Sequence, residues 1–249
     1  MSIALKRSLL IWAAILLLWE MLSRLGVLSS VILPAPSMIF DAAKSSAGEF
    51  MEGIQITLYE VLIATAIAVA LGTSLGALLG ASGLGAKASA PILAALFAVP
   101  LITWYPLFMT WFGLGSASKI AYGVVSGVFP IAIGTIDGVS GVDGQRIVFG
   151  RSIGCSRAQL FTRIILPLAL PSIITGMRIG IALCVIGVIV AEMLSSLGGV
   201  GYLISYHRTM FNTGHVYFSI LIAITFAYGV NRLLTFVERK FSAWRDTDT

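Results

Sequence analysis

Charge is scarce in this sequence. Only 11% of its 249 residues are Asp, Glu, Lys or Arg, against about 25% in soluble domains. Two cysteines, Cys155 and Cys184, are too few and too far apart for a disulfide framework or a metal cluster. The two histidines, His207 and His215, lie eight apart with no cysteine and no well-spaced carboxylate beside them, so no metal site is expected. Ser152, Cys155 and Ser156 have no neighbouring His and Asp to activate a nucleophile. No Gly-x4-Gly-Lys-Ser/Thr phosphate loop occurs, so chemistry on ATP is not expected in this chain. Nor is there a polar or acidic low-complexity run. The formal charge of +5 forms no single patch, which argues against nucleic acid as a partner.

What the sequence has in excess is apolar surface: 58% of residues, with a mean hydropathy of +0.98. A soluble globule of this size could not hide so much, whereas a bilayer is crossed by about 20 apolar residues. The apolar runs predict six transmembrane helices in one domain, 1–249, at about 8–27, 54–80, 89–112, 120–136, 171–191 and 216–237. No small-x-small cleavage site follows the first run, where Trp19, Glu20 and Met21 stand, so that helix is expected to be retained. Leu33-Pro34-Ala35-Pro36 breaks the chain, and 37–53 reads as a short amphipathic surface helix. Glu20 and Arg24, four apart, can neutralise each other on one face.

Ala68, Gly72, Gly76 and Gly80 recur every four residues in the second run, a stripe that lets two helices approach closely in lipid. The third run carries Pro91, Pro100 and Pro106 and must kink or break. With a cytoplasmic N-terminus, the inner segments hold Lys6, Arg7, Lys87, Arg146, Arg151, Arg157, Arg163, Arg232, Arg239, Lys240 and Arg245, and the outer ones only Arg24, Lys44, Lys119 and Arg208. That bias predicts both termini on the cytoplasmic side of the membrane.

One segment is neither span nor polar filler. Residues 146–180 show helical periodicity on both sides of Gly154, with Ile147, Val148 and Ile153 before it and Leu160, Phe161, Ile164 and Ile165 after it. Gly154 reads as a turn between two short helices, since glycine takes positive φ without steric cost. Pro167 and Pro171 redirect the chain into the membrane. An element apolar on one face and Arg-bearing on the other suits docking on a cytoplasmic partner.

This loop resembles the coupling segment of ABC-importer permeases, whose pattern is E-A-A-x3-G-x9-I-x-L-P. Gly154, Ile164, Leu166 and Pro167 match; Val148, Phe149 and Gly150 stand where E-A-A would. Gly150-Arg151-Ser152-Ile153-Gly154, Gly176-Met177-Arg178-Ile179-Gly180, Ala191-Glu192-Met193, Gly199-Val200-Gly201-Tyr202-Leu203-Ile204 and Trp111-Phe112-Gly113-Leu114-Gly115 are similar to the nitrate/sulfonate/taurine branch. The resemblance implies an all-α, type I importer fold in the bacterial inner membrane. It implies a second permease copy, most often identical, two ATP-binding subunits that hold ATP and Mg, and an extracytoplasmic solute-binding protein.

It further implies that Val148, Gly150, Arg151, Ser152, Gly154, Ser156, Ile164, Leu166 and Pro167 couple to the ATPase. The expected solute is a small anion such as a sulfonate, taurine, nitrate or bicarbonate; a neutral or vitamin-precursor solute is the alternative. A secondary transporter or channel is more distant, because the two halves of the chain do not resemble each other. Charges at membrane depth face a cavity or a partner, which marks Arg178, Glu192 and Met193 as pathway or gating candidates. Arg178 can also meet the ATPase interface, and Glu192 can be structural.

Overall fold

The computed structural model describes residues 3–242, without the side-chain environments of residues 3–6, 9, 90 and 237–242. The side chains of the basic tail at 238–245 therefore lie outside the described residues. The chain is helical throughout, with no strand among the described residues. In order it forms α1 (Ile3–Arg24), α2 (Pro36–Ser45), α3 (Ala47–Gly80), α4 (Gly83–Ala98), a 3-10 turn (Leu101–Trp104), α5 (Tyr105–Phe112) and α6 (Ser116–Ser140). Then follow α7 (Gly144–Ser152), α8 (Arg157–Leu160), a π-helical turn (Phe161–Ile165), α9 (Leu166–Leu194), α10 (Val200–Thr209) and α11 (Thr213–Ser242). In lipid a helix alone satisfies its own backbone, so apolar runs of this length have no other stable form.

Six spans were expected. Four stretches are long and apolar enough to cross a membrane, at Ala47–Gly80, Ser116–Ser140, Arg157–Leu194 and Thr213–Phe236, and a fifth if the α4/α5 pair counts as one. That pair is bent by 80°. Pro100 has no N–H to continue α4, and the chain restarts as the 3-10 turn with Pro106 at the head of α5. α1 is a helix, but any 18-residue stretch of it holds three of Lys6, Arg7, Glu20 and Arg24, too many to qualify on composition. The expected surface helix at 37–53 ends at Ser45 instead. α3 restarts at Ala47 and runs 34 residues, well beyond the expected 54–80. The loop expected before the last span contains α10, which no apolar run announced.

The chain comprises two compact units: Met1–Leu58 with Glu192–Thr225, and Tyr59–Ala191 with Phe226–Thr249. The second unit holds the small-residue stripe. A Cβ on Gly76 would lie 2.5 Å from Thr135 Cβ and 2.6 Å from the Ala132 carbonyl oxygen, and one on Gly72 would lie 2.7 Å from Ile131 Cβ. The stripe is thus the line along which α3 meets α6, with Ala68 fully buried at its head beside Ile131 and Cys184. A second line of contact, not read from the sequence, joins α6 to α9, where a Cβ on Gly134 would lie 2.7 Å from the Gly176 Cα. Glycines permit this approach where lipid gives helices no hydrophobic reason to associate.

Candidate functional site

The coupling segment is built by two capping motifs. Gly154 takes φ +84°, its N–H donates to the Arg151 carbonyl (3.0 Å), and the Cys155 N–H donates to the Gly150 carbonyl (3.1 Å). These are the two hydrogen bonds of a Schellman motif with glycine at the left-handed position. Ser156 then caps α8: its Oγ accepts from the Gln159 N–H (3.3 Å), and Gln159 Oε1 accepts from the Ser156 N–H (2.9 Å). The sequence carries this capping box as Ser-x-x-Gln, a signal that the loop pattern overshadowed. Pro167 cannot donate to the Arg163 carbonyl, and the ladder widens just before it, the Leu166 N–H reaching back to the Phe161 carbonyl.

Gly150 is buried in this turn, and a Cβ there would lie 2.5 Å from Ile164 Cδ1 and 2.8 Å from Leu160 Cδ1. Glycine at 150 therefore lets α7 lie close on the 160–165 segment. Val148, Phe149 and Ile153 point outward, each about two-thirds exposed. Ser152 is exposed and returns its hydroxyl to the Phe149 carbonyl (2.8 Å). Leu166 is half-buried and Pro167 exposed. Arg146, Arg151, Arg157 and Arg163 are all exposed and, among the described residues, in no ion pair. Two cavities of about 590 and 700 Å³ flank α7, the first lined by Arg146 and Arg163 and the second by Arg151, Cys155 and Arg157. An outward apolar face ringed by unpaired guanidinium groups is chemically suited to an apolar, acid-rimmed protein surface.

Of the three pathway candidates, Arg178 stands on an exposed face of α9 in the second unit. Glu192 is buried and ties the first unit: Oε1 accepts from the Thr57 hydroxyl (2.7 Å) and Oε2 from the Gly201 N–H (2.7 Å). The Val200 N–H donates to Thr57 Oγ1 (2.8 Å). The carboxylate thus caps α10 from a distance, where a negative charge meets the unsatisfied N–H groups and the positive end of the helix dipole. Gly199 makes room for it. Its φ of +103° with ψ 166° lies in a region that only glycine occupies readily, and a Cβ would collide with the Glu192 carboxylate. Met193 offers its carbonyl to the Ser205 hydroxyl (2.8 Å).

Glu20 repeats the device at α2. It pairs with Arg24, and it also accepts from the Ser37 N–H (3.0 Å) and hydroxyl (2.7 Å). The N-cap residue of α2, Ala35, has no side chain to do so.

Three placements were not read from the sequence. Glu60, fully buried on α3, was passed over within a long apolar run; an acid there was the available signal. Lys119, counted as an outer surface charge, is buried, its Nζ donating to the carbonyls of Leu114 and Gly115 (3.0 and 3.1 Å). His207 and His215, for which the sequence suggested no shared role, have ring centroids 4.5 Å apart beside Phe50. His207 Nε2 lies 3.4 Å from Glu49 Oε1 without hydrogen-bond geometry. Burial lowers the His207 pKa below its ordinary value; the His215 ring adds to this and Glu49 opposes it.

The family description "Binding-protein-dependent transport system inner membrane component" matches residues 68–243. The chain is 32% identical over 243 residues to the putative aliphatic sulfonates transport permease protein SsuC of Bacillus subtilis, covering 97% of this chain and 88% of that protein. To the Escherichia coli protein of the same name it is 35% identical over 232 residues, covering 92% and 88%. Among solved structures, the inward-facing MetNI methionine ABC transporter aligns with a TM-score of 0.65 at 18% identity, over 80% of this chain and 97% of that chain. This likeness shows the fold. Matched over most of its length, this helical chain belongs to the inner-membrane permease family of ABC importers.

Proposed function

We propose that this permease takes up a small anion of the sulfonate class, and that the 144–167 segment couples its movement to ATP hydrolysis by partner subunits. The observation that carries the reading is the capped turn at Gly154. It holds Val148, Phe149 and Ile153 outward among four unpaired arginines. Such a face is costly to leave in water and is matched by a groove on an ATP-binding subunit. Val148, Gly150, Arg151, Ser152, Gly154, Ser156, Ile164, Leu166 and Pro167 build or present it.

In this reading two copies of the chain enclose the path, two ATPase subunits bind ATP and Mg, and an extracytoplasmic binding protein delivers the solute. The basic bias of the inner segments supports cytoplasmic termini and, with them, a position of α7 on the ATPase side. The similarity to two proteins named as aliphatic sulfonate permeases supports the solute class. The test is uptake by the complex reconstituted in liposomes with its binding protein, against a panel of sulfonates, taurine, nitrate, bicarbonate and neutral pyrimidines. ATP-dependent uptake of an alkanesulfonate is expected, and uptake confined to neutral solutes overturns the solute class. Failure of the permease to retain an ATPase on purification overturns the coupling role.

A further inference from the structure

The elbow between α4 and α5 sits where irregular backbone is hard to place. Two ring pairs fix its height against α6: Phe97 with Phe129, centroids 6.3 Å apart, and Tyr105 with Tyr122, 5.4 Å apart. Along α6, Tyr122 lies roughly 9 Å and Phe129 roughly 20 Å from the first residue, in a helix roughly 37 Å long. A hydrocarbon core of about 30 Å centred on α6 therefore contains the whole of 98–104.

Within that stretch the α-helical ladder stops. The Val99 N–H turns back to Leu96, Pro100 has no N–H, and the Thr103 N–H and hydroxyl both return to the Pro100 carbonyl (3.0 and 2.7 Å). The first amides of the new turn, at Leu101 and Ile102, have no acceptor inside it. Yet the outer side of this elbow is open: Val99 is 39% and Ile102 51% exposed, and Thr103 is exposed too. Main-chain polar groups facing hydrocarbon cost several kcal/mol each, and non-helical backbone persists at membrane depth only where it is covered by protein or lines water.

We propose that Val99–Thr103 lines the water-filled solute path, with Ile102 and Thr103 as its wall residues. The inference rests on the permease reading and adds the lining residues that it left unassigned. Among the described residues of the second unit, this elbow combines a broken ladder, an open face and mid-membrane height. Exposed helix surfaces such as that of Leu62 on α3 have an unbroken ladder behind them.

The experiment is thiol accessibility in membranes. Ile102→Cys and Thr103→Cys are made singly in a Cys155→Ser chain, with buried Cys184 retained, and Leu62→Cys serves as the lipid-facing control. Two charged, membrane-impermeant probes, 2-sulfonatoethyl and 2-(trimethylammonium)ethyl methanethiosulfonate, are added to right-side-out and inverted vesicles. Only a hydrated thiol ionises to the thiolate that displaces methanesulfinate, so reaction at 102 and 103 should exceed the control by about tenfold or more.

Reaction no faster than at Leu62→Cys, in either orientation, overturns the proposal. So does reaction that appears only after detergent separates two copies, because the elbow is then a copy interface. Two positions are used so that poor folding at one leaves the other readable. A chain that labels but retains no ATPase keeps the aqueous elbow and sinks the coupling reading; one that retains the ATPase but stays unlabelled does the reverse.

Discussion

Replacing Glu192 by Ala should loosen α10, and the structure gives the size of the effect. The carboxylate accepts two hydrogen bonds of 2.7 Å, from the Thr57 hydroxyl and the Gly201 N–H, all among buried groups. Hydrogen bonds to a charged group contribute about 1.5–3 kcal/mol each, and donors left buried without a partner cost about 1–3 kcal/mol. Against this, alanine removes the need to bury a charge. The lower end, about 3 kcal/mol for local opening of α10, is the appropriate figure, and every 1.4 kcal/mol corresponds to tenfold. Trypsin cleavage at Arg208, exposed on α10, should therefore accelerate by about a hundredfold where cleavage follows the open population. Cleavage at Arg151, far along the chain, serves as the internal standard and should not change. Glu192→Gln keeps one acceptor and turns the other into a donor facing a donor, so about tenfold is expected. Equal cleavage at Arg208 in the parent and Glu192→Ala would refute the capping role and return Glu192 to the pathway.

Gly76→Leu should lower the yield of folded, monodisperse protein in detergent, because even a Cβ meets Thr135 and the Ala132 carbonyl at 2.5–2.6 Å; unchanged yield and transport would place that face in lipid. Gly154→Val should leave the chain inserted but reduce both ATPase retention and stimulated hydrolysis, since its positive φ costs a side chain about 1–2 kcal/mol, more if β-branched. Nothing in the chain lies within 4 Å of a Cβ there, so full activity of Gly154→Val would show that neither the turn nor the partner's groove constrains this position. His207 binds its proton more weakly in the folded chain than at its ordinary pKa of 6.5, so the unfolded state takes up more protons and stability falls as pH drops through 6.5. Protection of the amides at 203–211, taken relative to their intrinsic exchange rate at each pH, should accordingly fall from pH 7.5 to 5.5, and His207→Phe should flatten that dependence; an equal slope in the variant would assign it to another group.

Much of this architecture is dictated by sequence. The apolar runs decide helices because lipid offers backbone groups no other partner. The spacing of Ala68, Gly72, Gly76 and Gly80 marks a seam because a period of four returns to one helix face. Gly154 announces a turn because glycine alone takes its φ without strain, and the Ser156–Gln159 capping box is written in two residues three apart.

What sequence could not carry is any relation set by distant residues. Glu192 reads as an intramembrane charge until Thr57, more than a hundred residues away in the chain, and the α10 N-terminus are seen around it. Lys119 is a local counterpart: its partners, the Leu114 and Gly115 carbonyls, stand only five and four residues before it, but the turn that aims them at its ammonium group is not written in residue type. The prolines predicted a break in the third apolar run, but not its angle or its height beside α6; those follow from which rings pack against Phe129 and Tyr122. Periodicity records which face of a helix is apolar, and burial depends on what the rest of the chain brings to that face, which only the tertiary structure decides.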